Sequence, residues 1–247
     1  MGVRAYGFLC LTRNPMDLAC TTDRYDTLYR RWRANPGELL DLGGYQPGQR
    51  LLDLCGGTGT VSREALKRGA KPGEVDLLDL NPRCNHDWIH PIKADLNHIW
   101  LTHSPSHLPT VQFPHKYDLI VCRQAMAYLD LRGPAGILLA HWLLEVLKPG
   151  GKLVFNIFNW PKKASRWVFK KYTHEGQRFW EVAVRIGTRV MHLQVLWGRG
   201  GGFDVTTFHA YTRADLLWVF FPHFDCEIHE AKDGHSVRWV CTSKRAA

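Results

Sequence analysis

The 247-residue chain is 45% hydrophobic and 22% charged, ordinary proportions for a folded protein long enough to bury one sizeable core. No apolar run approaches the roughly 20 residues of a membrane span, and the N-terminal MGVRAYGFLCLTRNPMD carries no signal-peptide pattern. Thirty-two Lys and Arg against 23 Asp and Glu leave a net charge of +9, which suits an anionic partner without separating phosphate, carboxylate and nucleic acid.

Met1-Gly2 opens the chain, but Tyr6 stands where a myristoylation signal needs Ser or Thr. The seven cysteines, Cys10, Cys20, Cys55, Cys84, Cys122, Cys226 and Cys241, include no C-x-x-C pair, so reduced structural thiols are expected and no metal site. The expectation is a soluble cytoplasmic protein with no membrane partner. Oligomeric state is not legible.

In chain order, Tyr25, Leu28, Tyr29 and Trp32 recur at i, i+3, i+4 and i+7 and share one face of a helix. Packing on the core and capping of a ligand site are both open to it. Gly43-Gly44 and Pro47-Gly48 then punctuate the approach to the first core strand.

The organising stretch is Arg50–Ala70, RLLDLCGGTGTVSREALKRGA. Leu51, Leu52 and Leu54, interrupted by Asp53, form an apolar strand. Gly56, Gly57 and Gly59 follow, and a helix is expected over about 60–69. Strand, glycine turn and helix make the first half of a βαβ unit with a ligand site at the turn. Asp53, at the strand end, can hold a cation or a donor near the helix N-terminus. The spacing does not fit the G-x-G-x-x-G of a dinucleotide site.

Lys71-Pro72-Gly73 leads into a second strand, Glu74–Leu80, ending beside Asp79, which is spaced from the glycine turn so as to accept hydrogen bonds from both hydroxyls of a ribose. Ile92–Leu96 is a short apolar segment with Asp95 near its end. Residues 97–115, rich in Pro, His and Ser, read as a long surface connection. Tyr117–Cys122 is the clearest strand, followed by Arg123, Gln124, Ala125 and Met126 beside the expected crevice. A helix over Gly136–Leu147, the turn Lys148-Pro149-Gly150-Gly151 and a fifth strand Lys152–Phe158 come next.

These ordered features resemble the class I S-adenosylmethionine (SAM)-dependent methyltransferases, small-molecule type. Asp53-Leu54-Cys55-Gly56-Gly57-Thr58-Gly59 is similar to their acidic, Gly-rich motif I, with Cys55 where many members have the first glycine. The aromatic-Asp-apolar start of the fourth strand and the L-K-P-G-G-x-L turn also match, so the resemblance covers about residues 50–158. It implies an α/β fold: a doubly wound, Rossmann-like seven-stranded sheet. SAM is the implied cofactor, with S-adenosylhomocysteine as product. Implied cofactor contacts are Tyr25 from the N-terminal cap, Asp53, Cys55, Gly56, Gly57, Gly59, Asp79 with Leu80, Asp95 at the adenine amino group with Leu96 against the ring, and Arg123. The [DNS]-P-P-[YFW] motif of the amino-methyltransferases of nucleic acids is absent. SAM is itself a sulfonium, so the positive excess does not serve the cofactor.

Beyond the matched region, Lys163, Arg166 and Lys170 share a face at helical spacing, with Trp167 and Val168 turned inward. A solvated face and a site for an anionic substrate or nucleic acid are both open. Alternation over 179–186, 189–197 and 203–211 predicts antiparallel strands, which by resemblance form a strand-rich insertion after strand five that covers the acceptor. Thr212-Arg213-Ala214-Asp215 predicts a capped helix, and about 224–230 and 236–243 the final antiparallel pair of the sheet. The expected organisation is a helical cap at 1–49, a cofactor core at 50–160, a basic helix and acceptor cover at 161–212, and completion of the sheet at 213–247.

Methyl transfer needs alignment and exclusion of water rather than a fixed catalytic signature. His192, His209 and Tyr211 are candidates to orient or deprotonate an acceptor, the last two sharing a face. A small-molecule acceptor at N, O or C, anionic in keeping with the charge, is the first expectation. A nucleic-acid methyltransferase is the second, although no RNA-binding module is recognisable. A SAM-binding protein with other chemistry is the third.

Overall fold

The computed structural model describes residues 35–80, 82–84, 86–96, 113, 115–158, 167–174, 177–197, 202–231 and 236–244. The chain opens there with α1 (Pro36–Gly43), an element the sequence reading passed over. Its signals are nonetheless local. Asn35 Oδ1 accepts the Gly37 N–H at 2.9 Å, Pro36 occupies the first turn, and Gly44 closes the helix at φ 71°.

The core sheet contains β1 (Leu51–Leu54), β2 (Val75–Asp79), β3 (Ile89–Lys93), β4 (Tyr117–Arg123) and β5 (Leu147–Phe158), which pair in parallel in the order β5-β4-β1-β2-β3. The later strands β10 (Phe224–Glu230) and β11 (Ser236–Ser243) complete seven, with β11 antiparallel to both β5 and β10. This is the doubly wound α/β sheet that the sequence implied. All four β1 residues are buried because a central parallel strand is covered on both faces.

Leu51, Leu77, Leu119, Val121, Val154 and Val240 pack with α1 and with α2 (Thr60–Lys67) on one side of the sheet. On the other, Phe155 stacks on Trp239 at 5.7 Å and meets Phe220 at 5.3 Å. Phe220 ends α4 (Arg213–Phe220), which packs on α3 (Pro134–Val146). The Thr212–Asp215 capping box expected before α4 is present.

β5 begins at Leu147, not at Lys152 as expected. The pairing jumps from Tyr117↔Leu147 to Leu119↔Lys152, so Lys148–Gly151 bulge out of one continuous strand. Asp118 anchors the bulge, accepting from Lys148 Nζ at 2.7 Å and from the Arg50 N–H at 2.8 Å.

A second unit holds a four-stranded sheet in the order β6-β7-β8-β9, from β6 (Trp167–His174), β7 (Gln177–Ile186), β8 (Arg189–Trp197) and β9 (Gly202–His209). The strand-rich insertion after strand five is therefore present. Among the described residues, the part of the expected basic helix from Trp167 onward is a strand. Trp167–His174 pair antiparallel with β7, Trp167 opposite Val184 and Lys170 opposite Glu181. Aromatic and β-branched residues in this run favour a pleated, paired strand over a helix whose polar face would stand alone. Lys163 and Arg166 lie outside the described residues. One face of the sheet buries Glu181, Ala183, Val190 and His192; the other exposes Phe169, Trp180, Ile186 and Met191.

Two buried carboxylates tie the core strands together. Asp76 on β2 accepts the Tyr117 hydroxyl at 2.7 Å and His90 Nδ1 at 2.9 Å. Asp53 on β1 accepts the Ser62 N–H at 2.9 Å and the Ser62 hydroxyl at 2.7 Å, both through Oδ2. Gly59, at the N-cap of α2, has no side chain to cap it, so Asp53 supplies the missing acceptor from the neighbouring strand. Burial pushes the Asp53 carboxyl up to about 6, against the lowering effect of the Ser62 hydrogen bonds.

Two outcomes follow from these carboxylates. Tyr117→Phe leaves Asp76 with only the exposed His90 and is expected to lower unfolding free energy by about 1–3 kcal/mol in urea titration. For Asp53, the unfolded carboxyl ionises first as pH rises, so its contribution is fully present below about pH 4 and is lost by about pH 6. Urea titrations across that window are expected to show wild-type stability falling by roughly 2–3 kcal/mol relative to Asp53→Asn, which has no carboxyl to ionise.

Candidate active site

The strand order reverses at β1, which has β4 on one side and β2 on the other. In a parallel α/β sheet the crevice beyond the strand ends at such a reversal is where ligands bind. The segments that meet this edge of the core unit are Cys55–Gly59 after β1, Asp79-Leu80 at β2, Asp95-Leu96 after β3, Arg123-Gln124 at β4 and Asn156–Phe158 at β5.

The loop after β1 is held in an unusual backbone path. Cys55, Gly57 and Gly59 have φ of 55°, 54° and 73°. At Gly59 the left-handed conformation combines with close packing: an added Cβ would lie 2.5 Å from Cys84 Sγ. At Gly56 it would lie 2.7 Å from Asp53 Cγ and from Leu77 Cγ. The loop thus sits directly on the carboxylate that caps α2. Cys55 adopts the left-handed conformation without being glycine, a cost of roughly 1–2 kcal/mol. Its thiol, hydrogen-bonded with Cys122 and partly desolvated at a half-buried position, is pushed well above the ordinary thiol range.

Asp79 is locked to this loop. Its Oδ2 accepts the Gly57 N–H at 2.9 Å, while the Arg83 N–H donates to the Gly57 carbonyl at 2.9 Å and the Gly56 N–H to the Leu78 carbonyl at 3.2 Å. The Ala94 N–H donates to the Asp79 carbonyl at 3.0 Å, which brings Asp95 and the buried Leu96 to the same edge. The Arg123 guanidinium lies close enough to Asp53 to lower its carboxyl, though less than burial raises it.

The structure therefore brings together Asp53, Cys55, Gly56, Gly57, Gly59, Asp79, Leu80, Asp95, Leu96 and Arg123. Asp53 holds donors near the helix N-terminus, as its place at the strand end allows. At 1% exposure, with Oδ2 committed to Ser62, it supports the loop from below. Tyr25 and the helix expected around it lie outside the described residues.

Among the candidates for acceptor chemistry, Tyr211 requires correction. Its buried hydroxyl donates to the Leu129 carbonyl at 2.6 Å and accepts the Leu131 N–H at 2.7 Å. Burial raises its pKa beyond the usual phenol range. A hydroxyl spent twice on backbone is a strut for the 129–131 segment, not a base. His209 stacks on the Tyr211 ring at 5.3 Å, so the two share a face as expected. His192 belongs to the insertion sheet, where Nε2 meets Glu181 Oε1 at 3.0 Å and both side chains are buried.

Sequence reasoning missed Tyr128, Asn156 and Phe208. Tyr128, in a short 3-10 turn after β4, meets Phe208 edge-on at 6.0 Å, and Phe158 lies 6.1 Å from Phe208. Asn156 is the polar interruption in Leu-Val-Phe-Asn-Ile-Phe, a signal that could have been read; the aromatic grouping needs the fold. Among the described residues, no three His, Cys, Asp or Glu side chains group as metal ligands.

Comparison with known proteins bears on the whole arrangement. Residues 24–184 match the family model described as a methyltransferase domain. The ubiquinone/menaquinone biosynthesis C-methyltransferase UbiE of Edwardsiella ictaluri is 26% identical over 171 residues, 67% of this chain and 61% of that protein. The chain spans about half to three-fifths of the length of the curated relatives it matches. An S-adenosylmethionine-dependent methyltransferase from Clostridium acetobutylicum superposes with a TM-score of 0.67 at 15% identity, over 89% of this chain and 96% of that one. CalS10, an amino pentose methyltransferase from Micromonospora echinaspora, gives 0.65 at 17% identity, over 90% and 98%. These two likenesses concern the fold, and the family model carries the assignment: the chain belongs to the methyltransferase-domain family, within the class I S-adenosylmethionine-dependent group.

Proposed function

We propose that this protein transfers a methyl group from SAM to a small-molecule acceptor. The observation that carries the reading is the hydrogen bond from the Gly57 N–H to Asp79, which fastens a carboxylate to a bare, left-handed glycine turn at the sheet's reversal point. These residues fit the cofactor. In this reading Asp79 accepts from the ribose hydroxyls and Asp95 from the adenine amino group. Leu80 and Leu96 would pack against the ring, and the Cys55–Gly59 backbone would hold the amino-acid end.

Bound SAM supplies a methyl group already activated on a sulfonium. What remains for the protein is alignment and exclusion of water. The aromatic side chains of Tyr128, Phe158 and Phe208 form an apolar wall at the end of β5 suited to that task. His209, which stacks on Tyr211 in the core unit, is assigned the task of orienting or deprotonating the acceptor. The similar proteins named above act on a carbon and on an amino sugar, so N, O and C all remain within the proposal. An anionic acceptor is favoured by the net charge of +9. A cytoplasmic setting belongs to the same reading, supported by five free cysteines among the described residues. No helix among them is long and apolar enough to cross a membrane.

A nucleic-acid acceptor is the second reading. It is favoured by the exposed strand face where Lys171 Nζ lies 4.7 Å from the Trp180 ring and 5.6 Å from Phe169, a basic and aromatic surface of the kind that stacks bases. Salt-sensitive binding of single-stranded RNA that is lost in Trp180→Ala decides for it.

For the first reading, calorimetric titration with S-adenosylhomocysteine is the test. Asp79→Ala is expected to weaken binding about 100-fold, the equivalent of roughly 3 kcal/mol for hydrogen bonds from a diol to a charged acceptor. Wild-type affinity in that variant refutes the ribose assignment. Failure of the wild type to bind at all refutes the methyltransferase reading.

A further inference from the structure

Asn156 stands in the middle of the apolar run of β5 and is 1% exposed. Its Oδ1 accepts the Gln124 N–H at 2.9 Å. Its Nδ2 is buried with no hydrogen-bond partner among the described residues, and so is Nε2 of Gln124. The opposite orientation of the Asn156 amide would set N–H against N–H, so the acceptor atom must face Gln124 and the donor must face away. Gln124 itself is held at φ 59°, a left-handed conformation that non-glycine residues avoid.

Each of these features carries a cost. An unpaired buried amide donor is unfavourable, and so is the left-handed backbone. Fold alone does not require the donors, because the Gln124 N–H needs only an oxygen at position 156, which a carboxylate would also provide. Costs concentrated at the ligand edge of the sheet, with the backbone strain beside them, are the mark of groups kept for a bound molecule. Two further observations place that molecule. Arg123 lies directly opposite Asn156 in the β4–β5 register, so its side chain leaves the same face. Phe158, two residues along β5, shares that face and continues into the aromatic group with Phe208 and Tyr128.

We propose that Asn156 and Gln124 form a hydrogen-bond donor pair that seats an oxygen of the methyl acceptor, a carbonyl, carboxylate or phenolate oxygen, beside an aromatic wall. Two amide N–H2 groups reward a lone-pair oxygen and offer nothing to an ammonium, so the pair selects against acceptors presenting a cationic amine at this point. The inference rests on the methyltransferase reading above and narrows its acceptor.

The test uses benzoate and benzylammonium as probes on the full chain saturated with S-adenosylhomocysteine, followed by NMR of the side-chain N–H2 signals. Benzoate is expected to shift the Asn156 and Gln124 signals, and benzylammonium to leave them in place. Asn156→Asp keeps an oxygen for the Gln124 N–H and replaces the donor by an acceptor; it is expected to weaken benzoate binding at least tenfold while the affinity for S-adenosylhomocysteine changes less than twofold. Gln124→Met, at a half-buried site whose backbone bond is retained, is expected to do the same and guards against misfolding of the first variant. Unmoved signals with benzoate overturn the proposal. So does a tenfold loss of S-adenosylhomocysteine affinity in Asn156→Asp with 5′-methylthioadenosine binding intact, since the donors would then serve the cofactor's own carboxylate. If the wild type binds no S-adenosylhomocysteine, the methyltransferase reading fails instead, and benzoate titration of the ligand-free chain still reads the donor pair.

Discussion

The buried carboxylate of Asp53 is the joint on which this site is built. It lies at the end of the central strand, caps a helix whose own N-cap is a glycine, and forms the floor against which Gly56 packs. A carboxylate there costs desolvation, seen in the raised pKa of the group, and the Ser62 donors and Arg123 offset part of that cost. In return, strand, turn and helix are fastened at one point, and the loop backbone can follow a left-handed path without drifting.

From that joint the site extends by backbone contacts rather than by side chains reaching across open space. Asp79 is tied to Gly57, Arg83 to Gly57, and Ala94 to Asp79, so the chain's own hydrogen bonds hold three strand ends in register. Pre-organisation of this kind lowers the ordering cost of binding. The acceptor side is assembled in the same manner: Tyr211 braces the 129–131 segment through two backbone hydrogen bonds, and Asn156 holds Gln124. Residues that looked chemical in the sequence prove to be struts, and a residue hidden in an apolar strand carries the unspent donor.

Several elements were legible because their causes are local. β1, β2 and β4 are continuous apolar runs of the length that a doubly covered parallel strand demands, and the Thr212–Asp215 box announces α4. The hairpin strands of the insertion declared themselves by alternation. The run around Lys170 misled because basic and aromatic residues at helical spacing also occur in a strand that pairs with a neighbour. Trp167 to His174 found their hydrogen bonds on β7, from His174 opposite Gln177 to Trp167 opposite Val184, a pairing that the propensity of one segment does not reveal. Asn35, Pro36 and Gly44 mark both ends of α1 locally, and the Gly43-Gly44 pair, which reads as a turn in sequence, serves as a helix stop.

By itself, then, the amino-acid order determined the α/β class, the glycine turn with Asp53 and Asp79, and the kinship with SAM-dependent methyltransferases. Each depends on short-range spacing and on apolar period, quantities written along the chain. Only the tertiary structure decided that Asp53 is a buried cap and Tyr211 a strut. It alone paired Asn156 with Gln124 across 32 positions and gathered Tyr128, Phe158 and Phe208 into one wall. The physical reason is that a side chain's role follows from what surrounds it. Desolvation, hydrogen-bond saturation and donor direction are properties of packed neighbours, and those neighbours are set by strand register.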